Sequence, residues 1–263
     1  MLSQGRVTIN GKPCAIASHQ VDSGDVIEVG ARRASAKIAG GLDILYEDGD
    51  IFIVHKPAGL LTVATIDERE RTAYAYLRQY LKQHNPKQRL FIVHRLDKYV
   101  SGVLVFAKSE HVQAVLQDVF SRHDIQRKYW AIVEGVVKKD QGTIRSRLVE
   151  DRNLRMHSTT DTKKGKSAVT HFRVLQRFPK LTTLEITLET GRKNQIRVHL
   201  SEMGHAIVGD RSYGSTQNTL GRIGLHAFHL GFSHPVTGKP MLFETDPPPE
   251  FRRYIPADAK TKQ

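Results

Sequence analysis

The chain has 263 residues, with 40 Lys+Arg against 27 Asp+Glu, a formal net charge of +13 and a hydrophobic fraction of 39%. That is length for one large or two modest domains, with no apolar run near the roughly 18 residues of a membrane span and no apolar leader. Cys14 is the one cysteine, which excludes an intrachain disulfide framework and fits a reducing cytoplasm. The charge favours a polyanion, RNA or DNA being the usual one; the plainer alternative is that excess Lys and Arg serve solubility.

In chain order, Arg6 to Ile9, Asn10-Gly11 and Lys12 to Cys14 predict a hairpin, because Asn-Gly supplies the positive φ of a tight turn. Ser23-Gly24-Asp25 predicts a second turn, Val26 to Val29 a third strand, and Gly30 to Gly41 a small, basic linker. Ile44 to Tyr46 and Ile51 to Val54 predict another hairpin, and Thr72 to Gln83 a helix with Ala73, Leu77, Tyr80 and Leu81 on one face. Strands follow at Leu90 to Val93 and Gly102 to Ala107. A helix capped by Ser109 comes next, with Val112, Val115, Leu116, Val119 and Phe120 inward. Further strands are expected at Tyr129 to Glu134 and His171 to Gln176, and a half-exposed one around Leu184, Ile186 and Leu188. Arg145, Arg147, Arg152, Arg155, Lys163, Lys164 and Lys166 mark a mobile, phosphate-facing loop or hairpin, or an ordinary solvated edge. Asn194 to Met203 predicts a helix with Arg197 off its apolar stripe, before late strands at Ala227 to Phe232 and Met241 to Glu244. Strands joined by turns as often as by helices favour an antiparallel α+β sheet.

The chain lacks His-Glu-x-x-His, Cys-x-x-Cys, a phosphate-cradling glycine loop and Gly-x-Ser-x-Gly, so neither a metal nor a cofactor is expected. One junction stands out, where His94, Arg95, Asp97 and Lys98 lie between two apolar strands. A bare Asp there is more often a turn former; alternatively it is a carboxylate held among cations where a phosphodiester would bind.

His94-Arg95-Leu96-Asp97, with Ser101-Gly102 and Phe106-Ala107-Lys108, resembles the signature of the RluA-type pseudouridine synthases. Lys56-Pro57-Ala58-Gly59-Leu60, Arg127 to Gly135, Gly191 to Leu200, Gly204 to Gly214 and Leu225-His226-Ala227 resemble further blocks of that family in the same order, so the likeness runs from Ile44 to Tyr254. It implies a mainly antiparallel mixed sheet flanked by helices and loops, α+β in class. Residues 39–255 would form the catalytic domain and 256–263 a polar tail. Residues 1–38 resemble the hairpin end of a small RNA-binding module named after a ribosomal small-subunit protein, without its two leading helices, plus a linker.

The resemblance also implies roles. Asp97 would be the catalytic carboxylate, by covalent attack or by removing a ribose proton. Arg197 would pair with it, and Tyr129 would lie against the target base; the plain readings are a surface helix arginine and an interface aromatic. Arg95 would fill the gap left by a flipped nucleotide. The RNA-contact set implied is His94, Arg95, Lys98, Lys128, Arg192 and Gln195. Tyr99-Val100 and Asn194 depart from the family pattern, at positions where an acidic residue, a threonine and a histidine are commoner. The expected protein is a monomeric, cytoplasmic RNA uridine isomerase needing no cofactor, its substrate leaning towards large-subunit ribosomal RNA with transfer RNA also open. The alternative is a non-catalytic RNA-binding or ribosome-assembly factor that keeps the fold. A metal-dependent nuclease is a distant third.

Overall fold

The computed structural model describes residues 7–10, 12–14, 19–29 and 36–259. The sequence features at Gln4 to Arg6, Gly11, 30–35 and 260–263 lie outside the described residues. Strands β1 (Val7–Ile9), β2 (Lys12–Pro13) and β3 (Ile27–Val29) form a three-stranded antiparallel sheet in the order β2-β1-β3. Asn10, at φ 53°, turns the hairpin, and its side chain donates to Asp25 Oδ1 at 2.7 Å.

The remaining elements are β4 (Ala36–Ile38), β5 (Leu42–Glu47), β6 (Ile51–Lys56), α1 (Ala73–His84), β7 (Phe91–Ile92), β8 (Ser101–Ala107), α2 (Glu110–Ser121) and β9 (Gln126–Glu134). They continue with β10 (Gln141–Glu150), β11 (Met156–Thr159), β12 (Lys166–Arg177), β13 (Leu181–Leu188), α3 (Gln195–Glu202), β14 (Leu225–Ser233) and β15 (Pro240–Glu244). One 12-stranded sheet results, ordered β11-β10-β12-β13-β9-β14-β8-β6-β5-β4, with β15 also on β14 and β7 also on β8. The α+β class read from the sequence holds. Both larger helices start where their capping residues sit: Thr72 Oγ1 accepts from Ala75 N at 3.0 Å and Ser109 Oγ from Val112 N at 3.2 Å. No described helix is long and apolar enough to cross a membrane.

The sheet is two antiparallel halves joined along one parallel seam, β8 beside β14. β4 to β8 form one half and β9 to β15 the other, so each half is also continuous in sequence. At the seam Gly102 has φ +129°, and a Cβ there would fall 2.1 Å from the Ala227 carbonyl oxygen. Only glycine allows that approach. Gly102→Ala is expected to cost on the order of 3 kcal/mol or more in urea unfolding, from backbone strain plus overpacking.

The structure corrects one expectation, the extent of the linker, and sharpens the others. Along β13 the alternation holds: Leu184, Ile186 and Leu188 are buried on one face while Glu185 and Thr187 are part-exposed on the other, facing an open groove, and Leu181, Thr182 and Thr183 before them are buried as well. The strand lies between β12 and β9, and the C-terminal Phe251, Tyr254 and Ile255 join Leu181 in one apolar cluster. The adjacent Thr182 and Thr183 tolerate burial because their hydroxyls donate to carbonyls, Thr182 to Gly135 at 2.8 Å and Thr183 to Tyr254 at 2.9 Å. The linker expected to Gly41 gives way at Ala36 to the edge strand β4, paired Ala36 to Ile44 and Ile38 to Leu42. Of the alternatives for the basic Arg145 to Lys166 stretch, the structure shows the hairpin at a sheet edge, with β10, β11 and β12 pairing as an antiparallel ribbon. Past Ile255 the expected tail opens on a short 3-10 turn, Ala257–Ala259.

Candidate active site

Asp97 opens the turn before β8, with Lys98 and Tyr99 at its centre and Val100 N donating to Asp97 O at 3.1 Å. Two side chains brace this loop from behind. Thr62 Oγ1 donates to Leu96 O at 2.7 Å and accepts from Leu96 N at 3.2 Å. Lys56, fully buried, sends its Nζ to the carbonyls of Pro57 at 2.9 Å, Leu60 at 2.6 Å and Lys98 at 3.2 Å. Burial, aided by the Arg222 charge and opposed by Asp97, pushes the Lys56 ammonium down to about 7. The loop's far end is fixed by a buried chain. Arg222 donates to Ser101 Oγ at 2.6 Å, Ser101 Oγ meets His226 Nδ1 at 2.6 Å, and His226 Nε2 meets Thr245 Oγ1 at 2.9 Å.

Across the cleft stands Arg197 on α3. Its Nη1 donates to Asp97 Oδ2 at 3.1 Å and to Asn194 Oδ1 at 3.1 Å. Its Nε and Nη2 grip Asp210 at 2.6 and 2.8 Å, a bidentate pair in which Asp210 is only 1% exposed. Burial works against the guanidinium's charge, but Asp210 and then Asp97 more than offset it and hold its pKa above the ordinary arginine value. The Tyr213 ring lies 4.8 Å from the same guanidinium, and Asn194 Nδ2 donates to Tyr213 OH at 3.0 Å. Asn194 starts the helix at φ 54°, a left-handed conformation that asparagine tolerates, while its side chain serves Arg197 rather than the helix end. One carboxylate is thus presented by an arginine that a second carboxylate has already oriented.

Arg95, Leu96, Asp97, Val100, Tyr129, Leu188, Arg192, Asn194, Gln195, Ile196, Arg197 and Leu225 line the cleft. The fold therefore brings Asp97, Tyr129 and Arg197 together, with Arg95 and Arg192 exposed at the mouth. Tyr129 is 8% exposed, and burial lifts its hydroxyl's pKa, Arg127 opposing.

The other expected RNA contacts are placed differently. Gln195 lines the wall, but its amide is spent: Oε1 accepts from Thr190 Oγ1 and Arg192 N, and Nε2 donates to Val169 O and Thr170 Oγ1. Lys128 neighbours Tyr129 on β9 and so points to the opposite sheet face. Alternation would have favoured Arg127, which shares the face of Tyr129. Lys98 stays exposed at the turn tip, its Nζ 5.3 Å from the Tyr99 ring centre.

His94 does not line the cleft; its Nε2 accepts from Val105 N at 3.2 Å and its ring lies 4.7 Å from that of Phe120. Burial, reinforced by Arg127, pushes its pKa from 6.5 down to about 3. The unfolded chain therefore binds a proton that the folded one refuses. This contribution to stability is complete above pH 6.5 and is lost as pH falls towards 3, on the order of 2 kcal/mol by pH 5. Burial lowers His226, His199 and His55 in the same direction, so the measurement is a difference. His94→Gln, which keeps an acceptor and cannot titrate, is expected to flatten the fall in urea-unfolding stability between pH 7 and 5 relative to wild type.

Two other features are self-satisfied. An open groove of about 440 Å³ lies over Thr143, His171, Arg173 and Glu185, where Arg173 pairs with Glu185 at 3.3 Å and His171 with Thr143 and Glu189 at 2.9 and 3.1 Å. Asp48 and Asp50, with the sequence-distant His234, bring possible metal-ligand atoms within 4.8 Å of one another. Yet the Asp48 oxygens already accept from Tyr46 OH, His234 Nε2 and the amides of Asp50 and Ile51.

Comparison with known proteins shows the family and the fold. Residues 50–202 match the RNA pseudouridylate synthase family, and residues 1–27 match the S4 domain. An uncharacterised RNA pseudouridine synthase of Bacillus subtilis, YlyB, is 36% identical over 263 residues, covering 97% of this chain and 86% of its own. The ribosomal large subunit pseudouridine synthase D of Neisseria meningitidis (strain Z2491) is 33% identical over 264 residues, covering 94% of this chain and 70% of its own. Among solved structures, human RNA pseudouridylate synthase domain containing 4 superposes with a TM-score of 0.67 at 24% identity, covering 80% of this chain and 92% of that one, a likeness of fold.

Proposed function

Because the chain belongs to the RNA pseudouridylate synthase family, and is therefore an RNA-modifying isomerase, we propose that it converts specific uridines of large-subunit ribosomal RNA to pseudouridine, with Asp97 as the catalytic carboxylate. The isomerisation breaks the bond from ribose C1′ to N1, turns the uracil, and forms a bond from C1′ to C5; the C5 proton is lost and N1 is protonated, so nothing is gained or lost overall. The observation that carries the reading is Asp97 at the cleft, with Oδ2 taken by Arg197 and Oδ1 left for the substrate. Arg197, fixed by Asp210, aims that carboxylate at the sugar, and Tyr129 offers the flat face against which the base lies and turns. A uridine stacked in RNA reaches this cleft only when flipped out, and Arg95 at the mouth is placed to occupy its gap. The ribosomal substrate is supported by the relatives named for the large subunit.

The test is pseudouridine mapping across cellular RNA with and without the gene. Loss of one or a few large-subunit sites, restored by the wild-type gene, is the expected result. Loss confined to transfer RNA would overturn the substrate, and no loss at any site would favour a non-catalytic RNA-binding factor.

A further inference from the structure

Arg95 and Arg192 line the cleft and Arg127 lies against the neighbouring Gly191, and among the described residues none of the three forms an ion pair. Arg95 and Arg192 are exposed at the mouth. Arg127 lies deeper, 7% exposed, on the Tyr129 face of β9. Its guanidinium sits 5.2 Å from the Phe120 ring centre, Nη2 reaches only the Glu189 carbonyl at 3.4 Å, and Nε is buried without a partner. Glu189 turns its carboxylate to His171 instead, at 3.1 Å. Gly191 makes room, since a Cβ there would stand 2.4 Å from Arg127 Nη1. Arg192 follows directly, its Nε on the Ser167 carbonyl at 3.0 Å.

A guanidinium taken out of water with no anion beside it is unfavourable in the free protein. Its planar fork fits a phosphate better than a single neutral carbonyl. We propose that Arg127 is the floor of a phosphate-binding site, completed by Arg95 and Arg192, that takes a backbone phosphodiester of the RNA next to the target nucleotide. This rests on the RNA-isomerase reading and adds the group that anchors the strand while the base turns. Arg127 acts on the backbone and so contributes affinity and registration rather than base choice.

The probes are uridine and uridine 3′,5′-bisphosphate, titrated calorimetrically into the full chain. Wild type is expected to bind the bisphosphate at least about tenfold more tightly than uridine. Arg127→Met should remove most of that preference while leaving the affinity for uridine unchanged, and Arg127→Lys should restore part of it. Gly191→Ala approaches from the other side, displacing the guanidinium while keeping its charge, and should reduce the preference too. Arg127→Met should also melt at or above the wild-type temperature without ligand, which a residue important only for folding would not do. An unchanged preference in both Arg127→Met and Gly191→Ala would overturn the site, as would a wild type that binds both probes equally. Inorganic phosphate displacing the bisphosphate at equal concentration would reassign the site to free phosphate. Loss of the isomerase reading would appear separately, as wild type without turnover, because these titrations need no reaction.

Discussion

Asp97→Ala is expected to lower uridine isomerisation by about ten-thousand-fold or more while leaving RNA affinity within about threefold, since backbone contacts carry most of the binding. Asp97→Asn is the sharper variant, because it keeps the size of the side chain and a partner for Arg197 while removing the charge. Single-turnover kinetics on transcribed large-subunit RNA separate the chemical step from product release. Turnover within tenfold of wild type in either variant would assign the chemistry elsewhere, and a parallel collapse of RNA binding would make Asp97 a binding residue.

Arg197→Met is expected to damage stability and catalysis together. It leaves Asp210 charged and buried with its two charge-assisted bonds gone, a loss of about 3–5 kcal/mol in urea unfolding. It also frees Asp97 from its aim, for a fall in turnover of about a hundredfold or more. The two effects come apart in Arg197→Met/Asp210→Asn, where removing the stranded charge should restore most of the stability and none of the activity. Asp210→Asn alone should weaken turnover although Asp210 does not line the cleft, because Arg197 Nη1 then loses its registration on Asp97. If the double variant is as unstable as Arg197→Met, the buried charge is not the cause.

The sequence was most informative where local rules or ordered motifs apply. Ser109 places the start of α2 to the residue, and the ordered blocks bring Asp97, Tyr129 and Arg197 to one cleft across 100 positions. What was not legible depends on partners from afar. Asp210 read as part of a structural stretch, and nothing local tells that its carboxylate orients Arg197. Lys56 read as part of an opening loop, yet its ammonium ties that loop to the carbonyl after Asp97. The burial of Thr183 was not legible because a threonine looks the same whether water or the Tyr254 carbonyl satisfies it. Lys128 was preferred over Arg127 where strand alternation favoured the opposite choice.

The seam between β8 and β14 makes the cleft a product of docking. Asp97 belongs to the half that ends with α2, whereas Tyr129, Arg197 and Asp210 belong to the half that begins with β9. Neither polypeptide half holds all four residues, so the cleft exists only where the two halves are paired along the seam. A chain opened between Ser121 and Gln126 would give two fragments, each retaining its own hairpins and each inert. Mixing them would restore isomerisation in proportion to reassociation, making turnover a direct gauge of whether the two halves have met.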